Sequence, residues 1–199
     1  MPSHDPPSKE ELKIVFVVVD VQRKFTGGAV SDEGMKETIE TINKVSEMFR
    51  DNGRPVIFVH YDGESKCSMY GKSDGDEFLE GIVKDPRDAV VHKIHMNSFQ
   101  ETKLADAVRE CGCDSVLIAG MVTQYCVLGT YFGAFEHDIS SYLLRGGTIA
   151  TEDRLNEAAY SLCKTFTVEE IRENLQTTKV PGSMNICGLD YPRPPPAGG

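Results

Sequence analysis

The stretch IVFVVV, residues 14–19, is six β-branched or aromatic residues with no polar break. A strand with one wet face alternates apolar and polar residues, whereas one without alternation has both faces covered. A sheet containing such a strand needs a layer of helices on each side. VIFVH (56–60) and SVLIAG (115–120) carry the same signature, and AVVHK (89–93) and ISSYLL (139–144) are further short strands. Between them the period changes. Met35, Ile39, Ile42, Val45, Met48 and Phe49 recur at helical spacing, and Gly53 stops that helix. Leu104, Ala107, Val108 and Cys111 predict a helix over about 99–111 that ends at Gly112. Residues 123–136 predict a buried helix with Thr123 as its N-cap. Residues 152–163 are helical, KTFTV adds a sixth strand and EEIREN a last helix. This alternation predicts an α/β fold, a three-layer α-β-α sandwich around a mostly parallel, Rossmann-like sheet.

The organisation is that of one domain. Residues 1–11 read as a flexible polar leader, 12–176 as the folded domain, and 177–199 as a Pro-rich tail that is disordered or clasps a neighbour. The segment 61–87 is rich in Gly, Ser and charge. It predicts a long, lid-like loop with one helical turn at 77–83.

Charge narrows the function. The formal net charge is −10, which argues against nucleic acid or an anionic membrane as a partner. A small molecule remains the expected partner, anionic ones included, because a site is local. The N-terminus lacks a basic segment followed by an apolar one, and 14–19 is too short to span a bilayer, so a cytoplasmic location is expected. There are six cysteines and no C-x-x-C. All six are expected to be reduced, with Cys111, Cys113, Cys163 and Cys187 as core residues or turn residues.

Parallel sheets place ligands beyond the carboxyl ends of their strands. Asp20 ends the first strand, Lys93 ends the third, and Cys126 follows the fourth, in the first turn of a helix. A thiol attacks as thiolate, which a helix N-terminus and a lysine both favour. A carboxylate takes the thiol proton and returns it to a leaving group. The N–H of Cys126, with one from the preceding turn, offers an oxyanion hole. Taken singly, Asp20 reads equally as a turn cap and Lys93 as a surface lysine; the combination is what points to chemistry.

VVVDVQRKF (17–25), VVHKIHMNSF (90–99) and VLIAGMVTQYCV (116–127) together resemble the isochorismatase-like cysteine hydrolase superfamily, which includes nicotinamidases and N-carbamoylsarcosine amidases. The resemblance implies a catalytic triad of Cys126, Asp20 and Lys93. It implies a cis Met121–Val122 peptide, an oxyanion hole from the N–H groups of Val122 and Cys126, and a homo-oligomer, a dimer or tetramer. Nicotinamidases carry an Asp-x-His metal site after the second strand. The aligned positions here are Tyr61 and Gly63, and His60 with Asp62 have the wrong order and register, so neither metal nor cofactor is expected. The Asp-Ala pair usual after the fifth strand is replaced by Arg145, Gly146 and Gly147. His60, His92 and His95 read as hydrogen-bonded structural groups, with His92 alternating away from Lys93. Gln22 reads as a structural hydrogen-bonder behind the site. Phe25, Tyr61, Phe99 and Tyr125 are the candidate substrate-binding residues, and Tyr70 stands even between pocket and surface.

The expected activity is hydrolysis of a small, non-peptide amide or related acyl compound through a thioester. The rivals are an isochorismatase-type vinyl ether hydrolase that releases pyruvate, with Asp20 as general acid, and a non-catalytic flavodoxin-like binding module. Members that release pyruvate usually lack the cysteine, and VQRKFTGG is a poor phosphate loop.

Overall fold

The computed structural model describes residues 13–26, 32–63, 75–177 and 190–191. The leader, Tyr70, Cys67, Cys187 and most of the tail lie outside the described residues. The elements run β1 (Ile14–Val19), α1 (Asp32–Asp51), β2 (Val56–Tyr61), β3 (Ala89–Lys93), α2 (Leu104–Glu110), β4 (Ser115–Met121), a π-helical turn (Thr123–Val127), α3 (Leu128–Phe135), β5 (Ser140–Ile149), α4 (Asp153–Leu162), β6 (Thr165–Phe166), α5 (Val168–Thr177) and β7 (Asp190–Tyr191). Among the described residues the sheet has seven strands, all parallel, in the order β6-β5-β4-β1-β2-β3-β7. From β1 the chain moves outward through β2 and β3, then returns to place β4 on the other side of β1. The β1–β4 boundary is therefore the switch point at which α/β sheets form their crevice.

The continuous apolar run of β1 is explained by its two neighbours in depth. Val15, Val17 and Val19 pack in one cluster with Leu104, Val108, Val127, Tyr131 and Ala134 from α2 and α3. Ile14, Phe16 and Val18 pack in the other with Ile42, Val45 and Phe49 of α1 and Ile171 and Leu175 of α5. Every residue of β1 is buried.

Four expectations need correction. The helix expected over 99–111 begins only at Leu104. Glu101 adopts a positive φ of 55°, and Thr102 and Asn97 spend side-chain bonds on the loop instead. The turn at 77–83 is not helical: Phe78 forms an antiparallel bridge with Gln22. Thr123 is not an N-cap; its hydroxyl bonds Asn156 of α4 at 2.7 Å, and the helix opens as a π turn. The tail is not wholly outside the fold, since Asp190 and Tyr191 pair with Val90 and Val91. The departure at Arg145–Gly147 lengthens β5 to Ile149, with a shift in register between Ile118 and Gly120 of β4.

Gly120 sits where β4 passes β1 at the crevice, with φ +117°. A Cβ there would run into the Val19 carbonyl oxygen, which is backbone and cannot give way. Gly120→Ala is expected to destabilise the protein by about 3 kcal/mol or more, read as a lower urea midpoint at unchanged slope.

Candidate active site

Asp20 follows β1 with φ 51°, a left-handed conformation that Asp tolerates better than most residues. Its N–H donates to the Val59 carbonyl at 3.1 Å, and its own carbonyl accepts the Gln22 N–H at 2.7 Å. This sharp turn points the carboxylate inward rather than along the strand. Lys93 closes β3, and its Nζ lies 2.7 Å from Asp20 Oδ2, with both side chains 0% exposed. The ammonium also donates to the Met96 carbonyl at 2.9 Å. The loop carrying Met96 lies close on α3: a Cβ at Gly133 would meet the Asn97 amide, and Ser98 Oγ lies 2.6 Å from Thr130 Oγ1.

Cys126 comes from the π turn after β4. Its thiol sits close enough to Asp20 and Lys93 for each to act on its ionisation. The Met121–Val122 peptide is cis. The turn is anchored to its surroundings from the other side: Thr123 and Thr148 hydroxyls both donate to Asn156 Oδ1, and Gln124 donates to Thr151 Oγ1. Nothing in the sequence singles out Asn156, because its contribution depends on how α4 packs back onto the turn.

The three side chains of the expected triad are thus together at the switch point. Their electrostatics differ from the simple expectation that a helix N-terminus and a lysine would ionise the thiol. Burial pushes the Cys126 thiol up to about 12; Lys93 works to lower it, while Asp20 raises it further. Burial also raises the Asp20 carboxyl, against the opposing pull of Lys93 and of the thiol. The resting arrangement is a neutral thiol against a carboxylate whose proton affinity has been lifted. Burial also pushes Cys111 and Cys113 up to about 12 and Cys163 to about 11.

Of the candidate substrate residues, Phe25 and Tyr61 make an edge-to-face pair at 5.6 Å, and Tyr125 belongs to the same cluster. Tyr61 feels Cys126 and Asp20, which, after burial, raise its phenol. Phe99 is apart from them, 2% exposed in the opposite cluster and stacked on His137 at 5.3 Å. Lys24, absent from the sequence reading, is 6% exposed; its Nζ lies 5.1 Å from the Tyr61 ring and 2.6 Å from Asp76 Oδ1. Gln22 is a buried clamp as expected: Oε1 accepts the Tyr61 N–H at 2.8 Å, and Nε2 donates to Tyr61 O and Asp76 O. His92 does turn away from Lys93 and meets Asp62, which also meets His60. His95 pairs with Glu101.

Residues 15–171 match the isochorismatase domain. The chain belongs to the isochorismatase family. It is 25% identical over 141 residues to the isochorismatase family protein YrdC of Bacillus subtilis, covering 70% of this chain and 75% of that one. It is 24% identical to nicotinamidase 3 of Arabidopsis thaliana, covering 77% of this chain and 80% of the relative. The N-carbamoylsarcosine amidase of Thermoplasma acidophilum superposes with a TM-score of 0.65 at 25% identity, covering 78% of this chain and 95% of that chain. The protein is an isochorismatase-family hydrolase. Among its described residues no helix is long and apolar enough to cross a membrane.

The pair predicts a pH-dependent defect. The Asp20 carboxyl is raised above the ordinary 3.8 in the folded protein, and Lys93 is the main group opposing that rise. A carboxyl with a raised folded pKa favours folding while protonated, and that contribution is lost as pH rises through the folded value. Lys93→Met should therefore lie near the wild type in stability at about pH 4 and fall behind it by about 3–5 kcal/mol at about pH 8, measured by urea unfolding at both.

Proposed function

We propose that this isochorismatase-family hydrolase cleaves a small non-peptide amide, or a related acyl compound, through a thioester on Cys126. The observation that carries the reading is a largely buried thiol beside a carboxylate that is itself paired with a fully buried lysine. A buried ion pair is costly to desolvate and gives weak stability for its cost. Its position at the crevice, beside a nucleophile, is where such strain in protonation has a use.

In the proposed reaction Asp20 takes the thiol proton as the sulfur attacks the carbonyl carbon. Burial lifts the base along with the thiol it deprotonates, so Asp20 accepts the proton more readily than a free carboxylate would. Lys93 holds the negative charge whether it resides on sulfur or on Asp20. The oxyanion faces the N–H groups of Val122 and Cys126. Asp20 then returns the proton to the leaving nitrogen, the C–N bond breaks, and an amine and a thioester remain. Asp20 next takes a proton from water, which cleaves the thioester and releases the acid with the thiol restored. Phe25, Tyr61 and Tyr125 are the proposed apolar wall for the acyl group. No metal or cofactor enters these steps. A cytoplasmic homo-oligomer is part of the same reading, supported by the family's habit and by the four described cysteines being free.

A panel of small primary and secondary amides and N-carbamoyl compounds, read by amine release, tests this. Cys126→Ala should lower kcat by about 1,000-fold or more with the fold intact, and Asp20→Asn should do the same. Full turnover by Cys126→Ala would end the thioester reading.

A further inference from the structure

We propose that His60, Asp62 and His92 form a binding site for one divalent first-row transition-metal ion, on the opposite side of the sheet from Lys93. His60 and His92 are register partners on β2 and β3, so their side chains leave the same face of the sheet side by side. Asp62, two residues beyond His60, returns to that face. Lys93, the residue after His92, alternates to the other face. The cluster is therefore not at the positions where nicotinamidases carry their metal, which here are Tyr61 and Gly63; it uses the residues between and before them.

The ligand atoms converge. His60 Nδ1 lies 2.8 Å from Asp62 Oδ1, and His92 Nδ1 lies 3.1 and 3.0 Å from the two Asp62 oxygens. One ligand atom from each of the three residues lies within 4.8 Å of the others. Two ligands on a tetrahedral ion are about 3.3–3.6 Å apart, given metal–ligand bonds of about 2.0–2.2 Å, so each histidine–Asp62 contact needs to open by less than about 1 Å. The far side of His60 is held by backbone. Nε2 lies 2.8 Å from the Asp76 carbonyl oxygen, which only accepts, so Nε2 carries the hydrogen. The Gln22 Nε2 atom 3.1 Å away spends its hydrogens on the Tyr61 and Asp76 carbonyls. Nδ1 is the nitrogen turned toward Asp62, the side on which an ion would be held. The carbonyl behind a ligating imidazole is the usual outer support of a metal site. Two imidazoles and one carboxylate suit zinc, cobalt, nickel, iron or manganese, and leave a further coordination position for water. The imidazoles are partly open, with His60 and His92 side chains 15% and 18% exposed and Asp62 4%. A bound ion would pin the ends of β2 and β3, the second of which carries Lys93 to the catalytic side.

The test uses the full chain, stripped with chelator and titrated with Zn2+ by equilibrium dialysis and with Co2+ by visible absorption. One equivalent should bind, with a cobalt spectrum free of a thiolate charge-transfer band. Asp62→Asn and His92→Gln should each weaken binding at least tenfold. Both should match the wild-type melting temperature in chelator and lose the rise that Zn2+ gives the wild type. If a variant fails to fold, imidazole nitrogen shifts in the unmutated protein decide: Zn2+ should move His60 and His92 and leave His95 and His137 in place. No uptake by the wild type, uptake unaltered in both variants, a thiolate band, or shifts confined to other histidines would each overturn the proposal. None of these readouts involves turnover, so their failure leaves the amide-hydrolase reading standing.

Discussion

The buried pair of Asp20 and Lys93 is the constraint to which the rest of the crevice is fitted. Two charges at 0% exposure and 2.7 Å hold each other in place, and neither can be removed without stranding the other. The sheet brings them together from strands that are not neighbours, β1 and β3, with β2 between. That reach explains the local devices around them: the left-handed turn at Asp20, the Met96 carbonyl that takes a second hydrogen of the lysine, and the close approach of the 96–98 loop to α3 at Gly133. Gly120 serves the same end from the other side, letting β4 close on β1 so that the π turn presents Cys126 to the carboxylate.

Burial, against the pull of Lys93, sets the state of the nucleophile. A helix end contributes roughly half a positive charge, and its effect fades within a turn. At Cys126 the loss of water outweighs the pull of the lysine, and the thiol stays protonated until something accepts its proton. The carboxylate beside it, lifted by the same burial, is the acceptor at hand. Desolvation thus raises the base along with the acid it must deprotonate.

Much of this was legible in the sequence. The strands could be read because a doubly covered strand needs no alternation, so IVFVVV and SVLIAG stand out in any window. The positions of Asp20, Lys93 and Cys126 followed from the strand ends, and their grouping from the carboxyl-edge rule together with the family resemblance. What could not be read depends on partners distant in the chain. The start of α2 is set by bonds from Ser98 to Thr130 and from Thr102 to the loop backbone. Thr123 answers to Asn156 instead of to its own helix. The cluster of His60, Asp62 and His92 needs the β2–β3 register, which no spacing in the sequence reveals. Phe99 flanks Lys93 in sequence, yet its side chain is committed to His137 and the core.

The most direct test of the central claim, that Asp20 serves as the base for a neutral Cys126 thiol, is the pH dependence of its alkylation. Native protein is treated with iodoacetamide at a series of pH values and each cysteine is quantified by peptide mass spectrometry. A thiol that hands its proton to Asp20 reacts at a rate that is flat with pH once Asp20 is ionised. A lone buried thiol with a pKa near 12 reacts about tenfold faster for each unit of rising pH. A flat profile at Cys126, beside rising ones at Cys111 and Cys113, is the result predicted here. A tenfold rise per unit at Cys126 as well would contradict the account.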